Sequence, residues 1–240
     1  MSSVNHNGRP KIVGIGGLTS EVGKTTLMCK LLNAFPGWEA IKTTRGHYRS
    51  CGKDPHSCCV SDLLSEEPVV HSGREVTYVA GKDTGRYWDA GAGNVHWVIA
   101  TDEQVEAGVR QALSRVRADG VFVEGNSFTQ FVKPDFFVMV ANSKTLKIKH
   151  TARRALAQVE AVYVSQGSAA IETESIRKFL RDSNLRDEVE FVSDDQFAFL
   201  LASVRAKLQS RLADTDNRSA FQSILDSPEN KGLTQASSGQ

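Results

Sequence analysis

The run Gly14-Ile-Gly-Gly-Leu-Thr-Ser-Glu-Val-Gly-Lys-Thr-Thr26 constrains this chain more than any other stretch. The apolar residues 11–16 precede it and end in glycine, as a buried strand does. Residues 24–35 follow, with Leu27, Leu31, Leu32 and Phe35 at helical spacing. A strand, a glycine-rich turn and an amphipathic helix in that order form a nest for an anion. Glycines let the backbone wrap closely around phosphate oxygens. The N–H groups of the turn and of the helix N-terminus carry positive partial charge. The candidate phosphate-binding residues are Gly17, Ser20, Glu21, Val22, Gly23, Lys24, Thr25 and Thr26. Lys24 is expected to reach the outer phosphates of a nucleoside triphosphate, and the Thr25 hydroxyl to sit on Mg²⁺. The common motif has four residues between its glycines. Here five separate Gly17 from Gly23, and Leu18 stands where the first glycine is expected.

Along the rest of the chain, strands are expected at 38–43, 75–80, 94–100, 120–125, 135–141, 159–165 and 189–192. Helices are expected at 84–91, after a capping box at Thr101 and Gln104, around Ile176, Phe179 and Leu180, and after a second box at Ser193 and Gln196. Strands alternating with helices imply a three-layer α/β P-loop fold with a mainly parallel sheet of about seven strands. Residues 1–10 are polar and read as a flexible N-terminus. Residues 11–213 read as the nucleotide-binding domain, and the Ser-, Asn- and Gln-rich residues 214–240 as a flexible tail.

Lys and Arg number 29 against 28 acids, a balance that argues against a nucleic-acid-coating protein. No apolar stretch approaches the roughly 20 residues a membrane span needs, and the N-terminus lacks the apolar core of a signal peptide. The chain is therefore expected to be soluble and cytoplasmic. In a reducing compartment its four cysteines, Cys29, Cys51, Cys58 and Cys59, read as thiols or metal ligands before disulfides. Residues 44–74 form an insertion rich in cysteine and histidine. Within it Cys51, His56, Cys58 and Cys59 are candidate ligands for Zn²⁺ or an iron–sulfur cluster; the alternatives are a loop of free thiols with one buried cysteine, and a redox pair or an inter-subunit site in a dimer. Cys29, inside the first helix, reads as core.

Glu124 ends an apolar strand. A carboxylate there can hold Mg²⁺ through water or orient an attacking water, and the plainer alternative is a surface acid at a strand end. Lys144, Lys147, Lys149, His150, Arg153 and Arg154 cluster without an acid among them. They read either as a contact for a phosphorylated or acidic partner or as a solvated helix face. The segment Ala141-Asn-Ser-Lys-Thr does not match the Asn-Lys-x-Asp pattern by which many GTP-binding proteins read guanine, so GTP and ATP both stay open.

The stretch Gly17-Leu-Thr-Ser-Glu-Val-Gly-Lys-Thr resembles the phosphate loop of dethiobiotin synthetases, which also has five residues between its glycines. Val123-Glu124-Gly125 looks like the Glu-Gly of those enzymes and of MobB, the GTP-binding protein of molybdopterin guanine dinucleotide synthesis. Gly81-Lys-Asp-Thr-Gly-Arg-Tyr-Trp-Asp-Ala-Gly-Ala92 is similar to the Gly-Lys-Asp-Ser…Arg…Ala-Gly-Ala signature of MobB. The resemblance covers about residues 11–141. It implies a slow Mg²⁺-dependent NTPase that forms a homodimer and assists a cofactor-biosynthesis protein. It also implies that Lys24, Thr25, Asp83 and Glu124 surround the metal and the outer phosphates, with Lys24, Glu124 and Asp83 catalytic. Two departures stand out. Lys42-Thr-Thr-Arg-Gly-His47 replaces the His-rich segment of MobB. Lys42 also lies where dethiobiotin synthetases carry a substrate-activating lysine, but in Lys-Thr rather than Lys-Pro. The rival functions are an ATP-dependent ligase or kinase on a small substrate, and a metal-binding interaction protein.

Overall fold

A computed structural model describes residues 9–46, 63–142, 144, 146–165 and 170–210. The chain divides into two compact units, Met1–Leu201 and Ala202–Gln240. In the second, residues 202–210 are helical; the sheet belongs to the first. The chain runs β1 (Lys11–Gly17), α1 (Lys24–Ala34), β2 (Glu39–Arg45), β3 (Val69–Ser72), α2 (Arg74–Thr77), α3 (Asp83–Asp89), β4 (Val95–Ala100) and α4 (Val105–Arg115). It continues with β5 (Gly120–Glu124), β6 (Phe136–Ala141), α5 (His150–Ala155), β7 (Ala161–Val164), α6 (Ala170–Arg181) and β8 (Glu190–Ser193). The strands form an eight-stranded sheet in the order β3-β4-β2-β5-β1-β6-β7-β8. Every pairing is parallel except β3 on β4.

Parallel strands covered on both faces read as continuous apolar runs, and β1, β5 and β6 are buried almost throughout. Alternate residues serve two cores. Ile12, Ile41, Val121, Val123 and Met139 pack with Val105, Val109 and Ala112 of α4 and with Ala152 and Ala155 of α5. The opposite face receives Leu27, Met28, Leu31 and Leu32 of α1, all buried. Burying each leucine contributes about 1.5–3 kcal/mol. Below α1, Phe35, Trp38 and Phe122 form a ring cluster with centroids 4.7–5.6 Å apart. The start of β1 is fixed by buried Asp135, which accepts the Ile12 N–H at 2.7 Å and an Arg9 guanidinium N–H at 2.8 Å.

The run 75–80 is not a strand. Gly73, at φ 98°, opens the short helix α2 instead. The Thr77 hydroxyl bonds back to the Gly73 carbonyl, and Val76 and Val79 are left exposed. The strand in this region is β3, four residues inside the 44–74 insertion and too short to show a period. It adds an antiparallel edge in place of the expected strand at 75–80, so the sheet has eight strands. Thr101 makes half of its expected box, its N–H donating to the Gln104 side chain at 3.0 Å. Both halves are formed at Ser193 and Gln196. Cys29 is half-buried rather than core, its thiol pointing at the Arg86 carbonyl at 3.5 Å. Cys51, His56, Cys58 and Cys59, most of residues 1–10 and the tail 214–240 lie outside the described residues.

Candidate functional site

The glycine-rich turn links the C-terminal end of β1, in mid-sheet, to α1. Ligands of open α/β sheets bind at the carboxyl ends of the strands, where neighbouring connections diverge. β1 has that position, with β5 on one side and β6 on the other. Glu21 at φ 59° and Gly23 at φ 98° turn the backbone into left-handed conformations. Gly23 is the N-cap of α1 and makes no side-chain cap bond. The first in-helix bond runs from the Leu27 N–H to the Gly23 carbonyl at 3.0 Å. The N–H groups of Lys24, Thr25 and Thr26 therefore have no intrahelical acceptor and are open to an anion.

Three side chains from outside the turn hold this loop. The Asn126 carboxamide clasps Gly17 from both sides: its oxygen accepts the Gly17 N–H at 2.9 Å, and its NH₂ donates to the Gly17 carbonyl at 2.9 Å. Buried Ser165, just past β7, donates to the Val22 carbonyl beneath the turn. Lys149, from the basic stretch, donates to the Ser20 hydroxyl at 2.7 Å, and its backbone N–H bonds the Leu18 carbonyl. Leu18 is fully buried, and its own N–H bonds the Val140 carbonyl at 3.0 Å. The extra residue between the glycines thus belongs to the strand-end packing. Gly17 must lack a side chain, because a Cβ there would come within 2.7 Å of Val22 and 2.9 Å of Lys24.

Lys24, Thr25, Asp83 and Glu124 are drawn to one place by three elements. Lys24 and Thr25 open α1, Asp83 opens α3, which packs against α1, and Glu124 closes β5. Glu124 is 3% exposed. It accepts the Thr25 hydroxyl at 3.2 Å and the buried Tyr87 hydroxyl. The Lys42 ammonium lies 2.6 Å from Glu124 and 2.7 Å from Asp83, so it bridges the two carboxylates. Arg86 donates to the Thr26 hydroxyl at 3.3 Å. Ser20 and Glu21 lie exposed at the turn, and Val22 is buried under it.

The electrostatics follow from this packing. Burial lowers the Lys24 ammonium pKa, with Lys42 adding to the effect and Glu124 opposing it. Burial also works against charge on Lys42, but the Glu124 and Asp83 carboxylates more than offset it and raise its pKa. Burial pushes the Asp83 carboxyl up, and Lys42 overrides that and holds it below the usual carboxylate range. The Tyr87 phenol is pushed up by burial and by Glu124, so it stays a donor.

Thr25, Asp83 and Glu124 present hard oxygen donors, and a cationic ammonium already sits between the two acids. That set fits Mg²⁺, which takes one or two carboxylates, keeps several waters and completes its shell with phosphate. Among the described residues, no group of three or more His, Cys, Asp and Glu could hold a metal by itself. No helix among them is long and apolar enough to cross a membrane. Tyr87 and Asn126 each sat in the sequence beside a motif residue, Arg86 and Gly125, and that adjacency was the only signal for them.

No protein-family model matches the chain, and no curated protein does. Solved structures similar to it include HypB from Helicobacter pylori in complex with nickel, at 11% identity and TM-score 0.48 over 84% of this chain and 89% of that one. The MinC:MinD cell division complex of Aquifex aeolicus is similar at 14% identity and TM-score 0.39, over 77% of this chain and 81% of that one. The signal recognition particle receptor FtsY of Elizabethkingia anophelis, in complex with GDP, is similar at 15% identity and TM-score 0.36, over 80% of this chain and 58% of that one. The chain has an α/β fold with an eight-stranded, mainly parallel sheet, and its glycine-rich turn lies between the mid-sheet strand β1 and the N-terminus of α1.

Proposed function

We propose that this chain is a MobB-like, Mg²⁺-dependent NTPase of slow turnover, acting on GTP or ATP and assisting assembly of a cofactor or metallocentre as a homodimer. The observation that carries the reading is the convergence of Lys24, Thr25, Asp83 and Glu124 on the glycine-rich turn. The turn amides and Lys24 would bind the phosphates and stabilise charge as it develops on them. Thr25, Asp83 and Glu124 would hold Mg²⁺, which when bound supplies neutralisation of the phosphate oxygens. Glu124 would orient the attacking water. Three donors already engage its oxygens, Lys42, Thr25 and Tyr87, so little of its acceptor capacity is left for a water, which accords with slow hydrolysis. Such a protein acts by changing conformation with nucleotide state.

The test is thermal unfolding with Mg²⁺ plus ATP, GTP or neither, because a ligand of the native state raises the midpoint by mass action. At 100 times Kd the gain is about 2.7 kcal/mol. A rise is expected with at least one nucleotide and is expected to vanish in Lys24→Ala. No rise with either nucleotide, or an undiminished rise in Lys24→Ala, would overturn the assignment. Lys42 favours a second reading, an ATP-dependent ligase or kinase, because its ammonium faces the same cleft as Lys24. Phosphate release that needs no co-substrate supports the first reading, and turnover only with a small co-substrate supports the second.

A further inference from the structure

A cleft of about 200 Å³ runs from the phosphate loop across the tips of β1, β5 and β2. One end is shared with the nucleotide site through Gly17, Lys24 and Glu124. The other end is separate. In β2, Ile41 packs into the α4 core, and strand alternation turns Thr43 and Arg45 the same way, while Lys42 turns with Glu124 to the α1 face. The far lobe is therefore made by Thr43, Arg45, Ser127, Lys149 and Thr151, with Val105 and Phe128 as apolar walls.

The chemistry of this lobe has one sign. Lys24, Lys42, Arg45 and Lys149 line the cleft, and Glu124 is the one acid among the described lining residues. Glu124 lies at the nucleotide end and is paired with Lys42. A concave site lined by one sign of charge concentrates ions of the other. Among the described residues Arg45 pairs with Asp102 alone, at 2.7 Å with 38% and 57% of the side chains exposed. Such surface pairs are weak, so the guanidinium can exchange its partner for a carboxylate or phosphate, which it grips in bidentate fashion. The Thr43 hydroxyl is buried with no hydrogen-bond partner among the described residues, a state that favours a ligand able to satisfy it. The volume is below the roughly 300–1,000 Å³ of pockets for drug-sized ligands.

We propose that this lobe binds a second ligand, a compact oxyanion carrying a carboxylate or phosphate group, beside the terminal phosphate of the nucleotide. The inference rests on the nucleotide reading for its neighbour but has its own residues. The guanidinium of Arg45 takes the anion, Thr43 and Ser127 bond its oxygens, and Lys149 ties the lobe to the phosphate loop through Ser20.

The experiment is calorimetric and thermal-shift titration of the full chain with malonate and, separately, with inorganic phosphate. The protein is first saturated with Mg²⁺ and a non-hydrolysable triphosphate analogue, so that the phosphate seat is filled. Binding of at least one probe is expected, and which probe binds identifies the anion as carboxylate or phosphate. Arg45→Met is expected to weaken that binding at least tenfold, and Thr43→Val to weaken it less, with the analogue's own shift in the same samples reporting a folded loop. Absence of binding by both probes, or equal affinity in Arg45→Met, overturns the proposal. If the analogue does not bind at all, the nucleotide reading has failed by itself. The titration repeated without it still decides: dependence on Arg45 and not on Lys24 supports the lobe, and the reverse overturns it.

Discussion

With its ammonium 2.6 Å from Glu124 and 2.7 Å from Asp83, Lys42 offsets two acids that would otherwise repel each other. Glu124 is buried and Asp83 is half-exposed, so loss of the ammonium weighs chiefly on Glu124. Tyr87 and Thr25 remain to bond it, which limits the cost of Lys42→Met to about 1–3 kcal/mol. The pH dependence has a definite sign. Asp83 has its folded pKa held below the ordinary value, so its contribution to stability is present above the unfolded carboxylate pKa of about 3.9 and is lost as pH falls through the folded value. Lys42→Met removes the largest of the effects that lower it and leaves those of Thr25 and Arg86. Urea midpoints measured from pH 6 to pH 3 are expected to fall less steeply in the variant than in the wild type; equal slopes would show that Lys42 does not control Asp83.

At the scale of elements, α3 positions Asp83, Arg86 and Tyr87 at once, and its own position depends on one close backbone approach. A Cβ on Gly85 would lie 2.1 Å from the Val79 carbonyl oxygen, so the start of the helix rests directly on the preceding turn. Gly85→Ala is expected to push α3 away from α1. The predicted result is a loss of about 1–3 kcal/mol in urea unfolding, the usual range for overpacking, together with a smaller midpoint rise on adding Mg²⁺ and nucleotide. A variant that loses stability but keeps the full nucleotide response would show that α3 does not set the site. The same contact explains a glycine within the Gly81–Ala92 segment, whose expected helix at 84–91 forms at Asp83–Asp89.

Across the whole molecule, the two ends of the sheet do different work. At the N-terminal end of β2, buried Glu39 accepts the N–H groups of Arg117 and Ala118 at 2.8 and 2.9 Å. It also pairs with buried His96 at 2.6 Å, and His96 in turn contacts the Ser72 hydroxyl at 2.8 Å. This one carboxylate ties β2, β4, β3 and the start of β5 together. Glu39→Ala strands two backbone donors and a histidine, and is expected to cost about 3–5 kcal/mol, as breaking a buried pair does. The site lies at the opposite, C-terminal end of the strands. The prediction is therefore a lowered urea midpoint with nucleotide affinity, measured well below that midpoint, within about twofold of wild type. A large loss of affinity in the folded variant would show that the two ends are coupled.

Features that depend only on neighbours along the chain are legible in the sequence. A strand, a left-handed turn and a helix N-terminus need only consecutive residues, so the nest at Gly17–Thr26 was legible, as were the buried strands and the capping box at Ser193 and Gln196. The false strand at 75–80 shows the limit: its composition suits a strand, but β4 already has its edge neighbour in β3. What surrounds the nest comes from packing between distant segments. Asn126 clasps Gly17 across 109 residues of chain, and Lys42 meets Glu124 across 82. Such pairings arise from the strand order, which places β2, β5 and β1 side by side, and no local pattern encodes them. For the same reason the separate lobe at Thr43 and Arg45 was not visible in the sequence, since it exists only where strand tips, the start of α4 and the approach to α5 meet.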